Sequence, residues 1–140
     1  MTAPSGREPL RIVFLCVENS CRSQMAEGFA RALAPEGVEV YSAGSRPSGK
    51  VNATAIEVMR EAAIDIASHS SKSVLDLPPA RFDAAVTMGC GDACPTINAA
   101  RRIDWSIRDP KSLPPEEFRA VRDEIRARVA ALLADLRRPG

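Results

Sequence analysis

Residues 10–34 read LRIVFLCVENSCRSQMAEGFARALA, and this stretch decides the fold. Leu10–Cys16 is a β-branched and apolar run interrupted only by Arg11, the pattern of a strand buried in a parallel sheet. A polar turn, VENSCRS, follows it. From Ser23 to Ala34 the apolar residues Met25, Ala26, Phe29, Ala30 and Leu33 recur at helical spacing, with Ser23 placed as a possible N-cap. Working outward, Val38–Ser42 predicts a second strand, ended by Gly44 and a loop. Asn52–Ala63 predicts a helix, with Ala55, Ile56, Met59 and Ala62 or Ala63 on one face. Ser70–Leu77 predicts a short helix stopped by Pro78-Pro79. Phe82–Met88 is a third expected strand, 89–99 a polar loop, and Arg102–Ile107 a fourth strand broken by Arg108-Asp109-Pro110. Pro115–Leu136 is the longest expected helix, its stripe formed by Phe118, Val121, Ile125, Val129, Leu132, Leu133 and Leu136. Alternation of strands and helices implies an α/β fold: a four-stranded parallel sheet flanked by helices on both faces. A loose leader at 1–9 precedes a single catalytic domain at 10–137.

The turn between the first strand and its helix is suited to an anion. Successive backbone N–H groups and the positive end of the helix converge there, forming a cup for a tetrahedral oxyanion from Val17, Glu18, Asn19, Ser20, Cys21 and Arg22. Arg22 closes the ring, because its planar fork grips two oxygens at once. The field that holds an anion also favours a thiolate at Cys16, and Ser23 is placed to donate a hydrogen bond to that sulfur. A thiolate facing a bound oxyanion is a nucleophile in attack position. Asn19 is suited to pin the loop, and asparagine tolerates the positive φ that a tight loop requires. Ligands in such folds sit beyond the carboxyl ends of strands, and Cys16, Ser42, Cys90 and Asp109 all fall at or just after expected strand ends.

Composition narrows the classes. With 45% hydrophobic and 26% charged residues the chain matches soluble globular proteins. Aromatics make up only 4%, too few for a base-stacking surface. Net charge is +1 with both signs interleaved, so neither nucleic acid nor a membrane is an expected partner. The N-terminal residues lack the apolar core of a signal peptide, and the expected location is cytoplasmic. In that compartment four cysteines point to catalysis or metal binding before structural disulfides. Their C-x4-C and C-x3-C spacings do not match the paired C-x2-C of structural zinc sites, so no metal is expected. Asp109 reads equally as a turn residue and as an acid, with Asp104 and Asp92 as rivals.

The stretch CVENSCRSQMAEGFA, followed in order by YSAGS, IDIASHSSK, AAVTMGCGDACP and DWSIRDP, resembles the low-molecular-weight tyrosine phosphatase fold family, specifically its arsenate reductase branch. The similarity runs from Leu10 to Leu136. It implies a low-molecular-weight phosphatase-like fold, arsenate as substrate with phosphate or sulfate competing, and no cofactor. It assigns Cys16 as nucleophile, Arg22 and Ser23 as its partners and Asp109 as general acid. It makes Cys90 and Cys94 a relay that collects the oxidising equivalents, with thioredoxin or a low-molecular-weight thiol system as reductant. A phosphatase acting on phosphotyrosine or small phosphomonoesters is the alternative, and a monomer is the default. Relatives hold a potassium ion near the loop through groups that Asn19, Glu27 and Ser42 resemble. Lys72 stands where those relatives have aspartate, so its ammonium is expected to replace the ion. Glu18 departs from the glycine of many relatives, and an acid at the loop weakens anion binding unless it points to solvent. Cys21 and His69 are expected to be packing residues.

Overall fold

The computed structural model describes residues 9–89 and 97–136. Its elements are β1 (Leu10–Cys16), α1 (Arg22–Leu33), β2 (Val38–Gly44), α2 (Ala53–Glu61), β3 (Phe82–Thr87), β4 (Ala99–Asp104) and α3 (Pro115–Leu136). All strand pairings are parallel, and the sheet order is β2-β1-β3-β4. β1 pairs with β2 from Leu10↔Val38 to Cys16↔Gly44, and with β3 from Ile12↔Ala84 to Leu15↔Thr87. A strand with neighbours on both edges and layers on both faces has no solvent-facing residue. Ile12, Val13, Phe14 and Leu15 are accordingly all buried, which is why the sequence there is a continuous apolar run.

The sheet is covered on both faces, as expected, but unequally. Ile12, Phe14, Val40, Ala84 and Val86 share one apolar cluster with the buried residues of α1, α2 and α3. Val13, Leu15, Ala43 and Ala85 face the other way, where Val74 and Leu77, at a 3-10 turn spanning Val74–Asp76, pack against them. The helix expected at Ser70–Leu77 is reduced to that single turn, capped by Ser73 and Asp76. α3 has the expected bounds, and its stripe is buried from Phe118 to Leu133. Asn52 caps α2, its side-chain oxygen accepting from the N–H groups of Thr54 and Ala55 at 2.9 and 3.1 Å. Among the described residues no helix is long and apolar enough to cross a membrane.

Two more expectations are corrected. Ser23 does not cap α1. The helix starts at Arg22, after Cys21, with no side-chain cap, and the Ser23 hydroxyl turns to the sulfur of Cys16. The fourth strand covers Ala99–Asp104, not Arg102–Ile107. It lies at the sheet edge, so Arg101 and Arg102 are exposed and give no apolar alternation. The apolar residues that suggested a strand, Trp105 and Ile107, are buried from the loop that follows it.

The strand order reverses between β1 and β3. β1 passes through α1 to β2 on one side, while β3 and β4 extend the other. The crevice beyond the carboxyl ends of strands at such a reversal is a ready-made ligand site. Phe14 supports its floor: it is fully buried, two residues before Cys16, with its ring centroid 5.9 Å from that of Trp105. Phe14→Ala should lower stability by about 3–5 kcal/mol, measured as a drop in the urea midpoint with the slope unchanged. A loss under about 1 kcal/mol would show that the core refills the cavity.

Candidate active site

The loop after β1 is shaped by where its carbonyl oxygens go. Val17 O accepts from Arg46 N at 2.8 Å, and Glu18 O from Ser48 N and the Ser71 hydroxyl at 3.1 and 2.9 Å. Asn19 O accepts from the Gln24 amide at 3.1 Å, Ser20 O from Asn52 N at 3.0 Å and Cys21 O from Met25 N at 2.9 Å. Five consecutive carbonyls are thus tied to surrounding structure. Among the described residues, no protein acceptor takes the amide N–H of any residue from Val17 to Arg22. Buried N–H groups are rarely orphaned, so a run of them beside a cleft is a geometry suited to an anion. The cleft measures about 400 Å³ and is lined by Cys16, Val17, Glu18, Ser20, Cys21, Arg22, Gly89, Asp109 and Lys111.

Asn19 fixes this shape from behind. It sits at φ +52°, the left-handed conformation anticipated for it. Its side-chain oxygen accepts from Lys72 N at 2.7 Å and from the Gln24 amide at 3.0 Å. Its NH2 group donates to Ser23 Oγ at 2.8 Å and to Ser42 Oγ at 3.0 Å. The Ser42 hydroxyl in turn donates to the Glu27 carboxylate. The proton count then sets the polarity of the chain. Ser42 gives its one proton to Glu27 and accepts from Asn19. Ser23 also accepts from Asn19, so its own proton is left for Cys16 Sγ, 2.8 Å away. The buried sulfur therefore receives a hydroxyl hydrogen bond.

Glu27 is 3% exposed. Burial pushes its carboxyl up, but the Ser42 hydroxyl, Lys72 and Arg31 together outweigh that and hold it below its ordinary 4.5. Lys72 Nζ lies 3.5 Å from Glu27 Oε1 and donates to Ser70 O at 2.7 Å. An ammonium therefore stands beside the carboxylate that a cation would need. The residues do not fit a resident metal ion here. His69 is half-buried, with its Nδ1 3.0 Å from Gln24 Oε1, in the packing role expected of it; burial lowers its pKa below the ordinary value.

Arg22 is anchored by its own hydrogen bond to Ile107 O at 3.0 Å, and its second amino group lies 3.8 Å from Asp109 Oδ2. Gly89 makes this placement possible: a Cβ there would sit 2.2 Å from Arg22 Nη1, and its φ of +84° also excludes most side chains. Cys16, Arg22, Ser23 and Asp109 are thus brought together as expected. Asp104 is not part of the group; it accepts from the Thr87 hydroxyl at 2.8 Å at the end of β4. Cys90, Asp92 and Cys94 lie outside the described residues. Cys21 is a free, buried thiol pushed up to about 11 by burial, and so stays protonated and unreactive at neutral pH. Three contributors escaped the sequence reading. Gln24 is fully buried and braces both Asn19 and Ser70. Gly89 makes room for Arg22, and Lys111 pairs with Glu18 at 2.8 Å. Only Gln24 left a trace, as a polar residue beside the apolar face of α1.

A family model described as low molecular weight phosphotyrosine protein phosphatase matches residues 11–139. The chain belongs to this family. Within the low-molecular-weight phosphatase family its likeness runs to arsenate reductases, the branch expected from the loop. It is 37% identical to the glutaredoxin arsenate reductase of Synechocystis sp., covering 90% of this chain and 98% of that one. It is 43% identical to an arsenate reductase of Staphylococcus aureus, covering 82% and 89%. A solved arsenate reductase in the phosphate binding state superimposes with a TM-score of 0.82 at 36% identity, over 90% of this chain and 98% of that chain.

Two outcomes test the site. Ser23→Ala should slow alkylation of Cys16 by iodoacetamide at neutral pH by about tenfold, the effect of one hydrogen bond to a charged group. An unchanged rate would remove Ser23 from the thiolate's support. A carboxyl held low in the folded state stabilises the fold above its unfolded value and loses that contribution as pH falls through the folded value. Wild type should therefore be more stable than Glu27→Gln at neutral pH, with the gap closing below pH 4.5 in urea titrations. A gap that is constant down to pH 3 counts against the assignment.

Proposed function

We propose that this protein reduces arsenate to arsenite through Cys16, with phosphate and sulfate as competing oxyanions. The observation that carries the reading is the cup itself: loop N–H groups from Val17 to Arg22 that find no protein acceptor among the described residues, closed by Arg22, above a sulfur that receives the Ser23 proton. The arsenate reductase likeness of relatives at 37–43% identity supports the choice of arsenic over phosphorus. In the first step the Cys16 thiolate attacks arsenic. The loop N–H groups and Arg22 hold the equatorial oxygens, and Asp109, at the cleft rim and 54% exposed, protonates the departing oxygen. A thiol–arsenate adduct and water result.

The second half of the reading concerns Cys90 and Cys94. Cys90 thiolate attacks Cys16 sulfur and forms a Cys16–Cys90 disulfide. The electron pair of the sulfur–arsenic bond stays on arsenic, which leaves as arsenite. Cys94 then attacks Cys90, freeing Cys16 and leaving a Cys90–Cys94 disulfide. An external dithiol reduces that pair. Thioredoxin suits an intramolecular disulfide; one relative bears the name glutaredoxin arsenate reductase, so a glutathione-linked partner is the competing reductant.

The family model carries a phosphatase description, which favours one second reading, hydrolysis of a Cys16-phosphate by water. The two readings separate cleanly. Cys94→Ser should abolish thioredoxin-coupled arsenate turnover while phosphomonoester hydrolysis persists, and Asp109→Asn should lower both by roughly 100-fold or more. Arsenate turnover undiminished in Cys94→Ser with thioredoxin as sole reductant would refute the relay.

A further inference from the structure

Glu18 is the one acid whose side chain belongs to the oxyanion loop, and its place on the rim demands an explanation. Carboxylates repel anions, and this one lines the same cleft as Cys16 and Arg22. Its backbone is fixed, because Glu18 O is bound by Ser48 N and Ser71 Oγ. Its carboxylate reaches across the mouth to Lys111 Nζ at 2.8 Å. Lys111 also lines the cleft, and its backbone N–H donates to Asp109 Oδ1 at 3.0 Å. One ion pair therefore joins the oxyanion loop to the segment that bears the general acid. Both side chains are about half exposed, 41% for Glu18 and 51% for Lys111, so the pair adds little to stability. Its significance lies in its position over the anion's entrance.

We propose that Lys111 determines the cup's affinity for doubly charged oxyanions: paired with Glu18 across the mouth, it cancels that acid's charge, and freed from Glu18 it becomes an additional anion-binding cation. The proposal rests on the oxyanion reading of the cup above and is independent of the disulfide relay. It makes the two partners unequal. Loss of Lys111 leaves a bare carboxylate at the entrance and repels the dianion. Loss of the Glu18 charge releases an ammonium whose flexible stem reaches the same entrance. A pair that merely straps two loops together would weaken binding whichever partner is removed.

The test uses the full-length reduced protein, with inorganic phosphate at pH 8 protecting Cys16 against iodoacetamide. The half-protecting phosphate concentration should rise about threefold to tenfold in Lys111→Met and fall by a similar factor in Glu18→Gln, the size of one partly screened charge acting on a dianion. In the double variant the two shifts should largely cancel, and each should shrink as sodium chloride is raised. Thermal melts check that all variants fold. If phosphate protects wild type but both single substitutions weaken protection, or neither changes it, Lys111 has no such role and the cup reading stands. If phosphate does not protect wild type, the cup reading fails and this inference fails with it.

Discussion

Every part of the site depends on how one short stretch of backbone disposes of its polar groups. A peptide chain carries a donor and an acceptor at each residue, and neither can be buried idle. In the loop from Val17 to Cys21 the acceptors are all engaged by Arg46, Ser48, Ser71, Gln24, Asn52 and Met25. This forces the donors to one side and leaves them for a guest. The surrounding structure supplies those partners from four different places: the segment after β2, the start of α2, the segment before the 3-10 turn and α1 itself. The shape of this loop is therefore a property of the tertiary fold. Gly44 belongs to the same constraint, since a Cβ there would sit 2.4 Å from Val17 O.

Charge around the cup follows a second pattern. Two glutamates lie near the cleft that contains Cys16 and Arg22, and each is matched by a lysine. Glu27, deep behind the loop, is matched by Lys72 and by Arg31 on the next turn of α1. Glu18, at the mouth, is matched by Lys111. Arg22 remains directed at the cleft, held by Ile107 O and merely adjacent to Asp109. Without the two lysines, the carboxylates would erode the positive potential that Arg22 brings to the cleft.

What the sequence disclosed followed burial and local geometry. β1 and α3 were legible because each is buried in a way that leaves a periodic signature, continuous for a central strand and a stripe for a surface helix. Cys16 and Arg22 were legible because they follow the carboxyl end of β1 at the reversal of the sheet, whereas Asp109, five residues beyond β4, read equally as a turn residue and was singled out only by the family resemblance. β4 was misplaced because an edge strand bearing Arg101 and Arg102 is not patterned by a core, while Trp105 and Ile107 just beyond it are. Ser23 suits either a cap or a sulfur partner, and only the geometry of the loop distinguishes them. Lys111 and Glu18 are 93 residues apart in sequence, and no local rule joins them.

The chain contains a single tryptophan. Trp105 is seated against Phe14 on one side of the crevice, tied by its backbone N–H to Thr87 O at 2.9 Å, and lies four residues ahead of Asp109. The protein thus carries one indole, packed against the strand that ends in Cys16 and set in the segment that leads to Asp109. Any rearrangement of that segment which disturbs its seat will register in the indole emission, without a label.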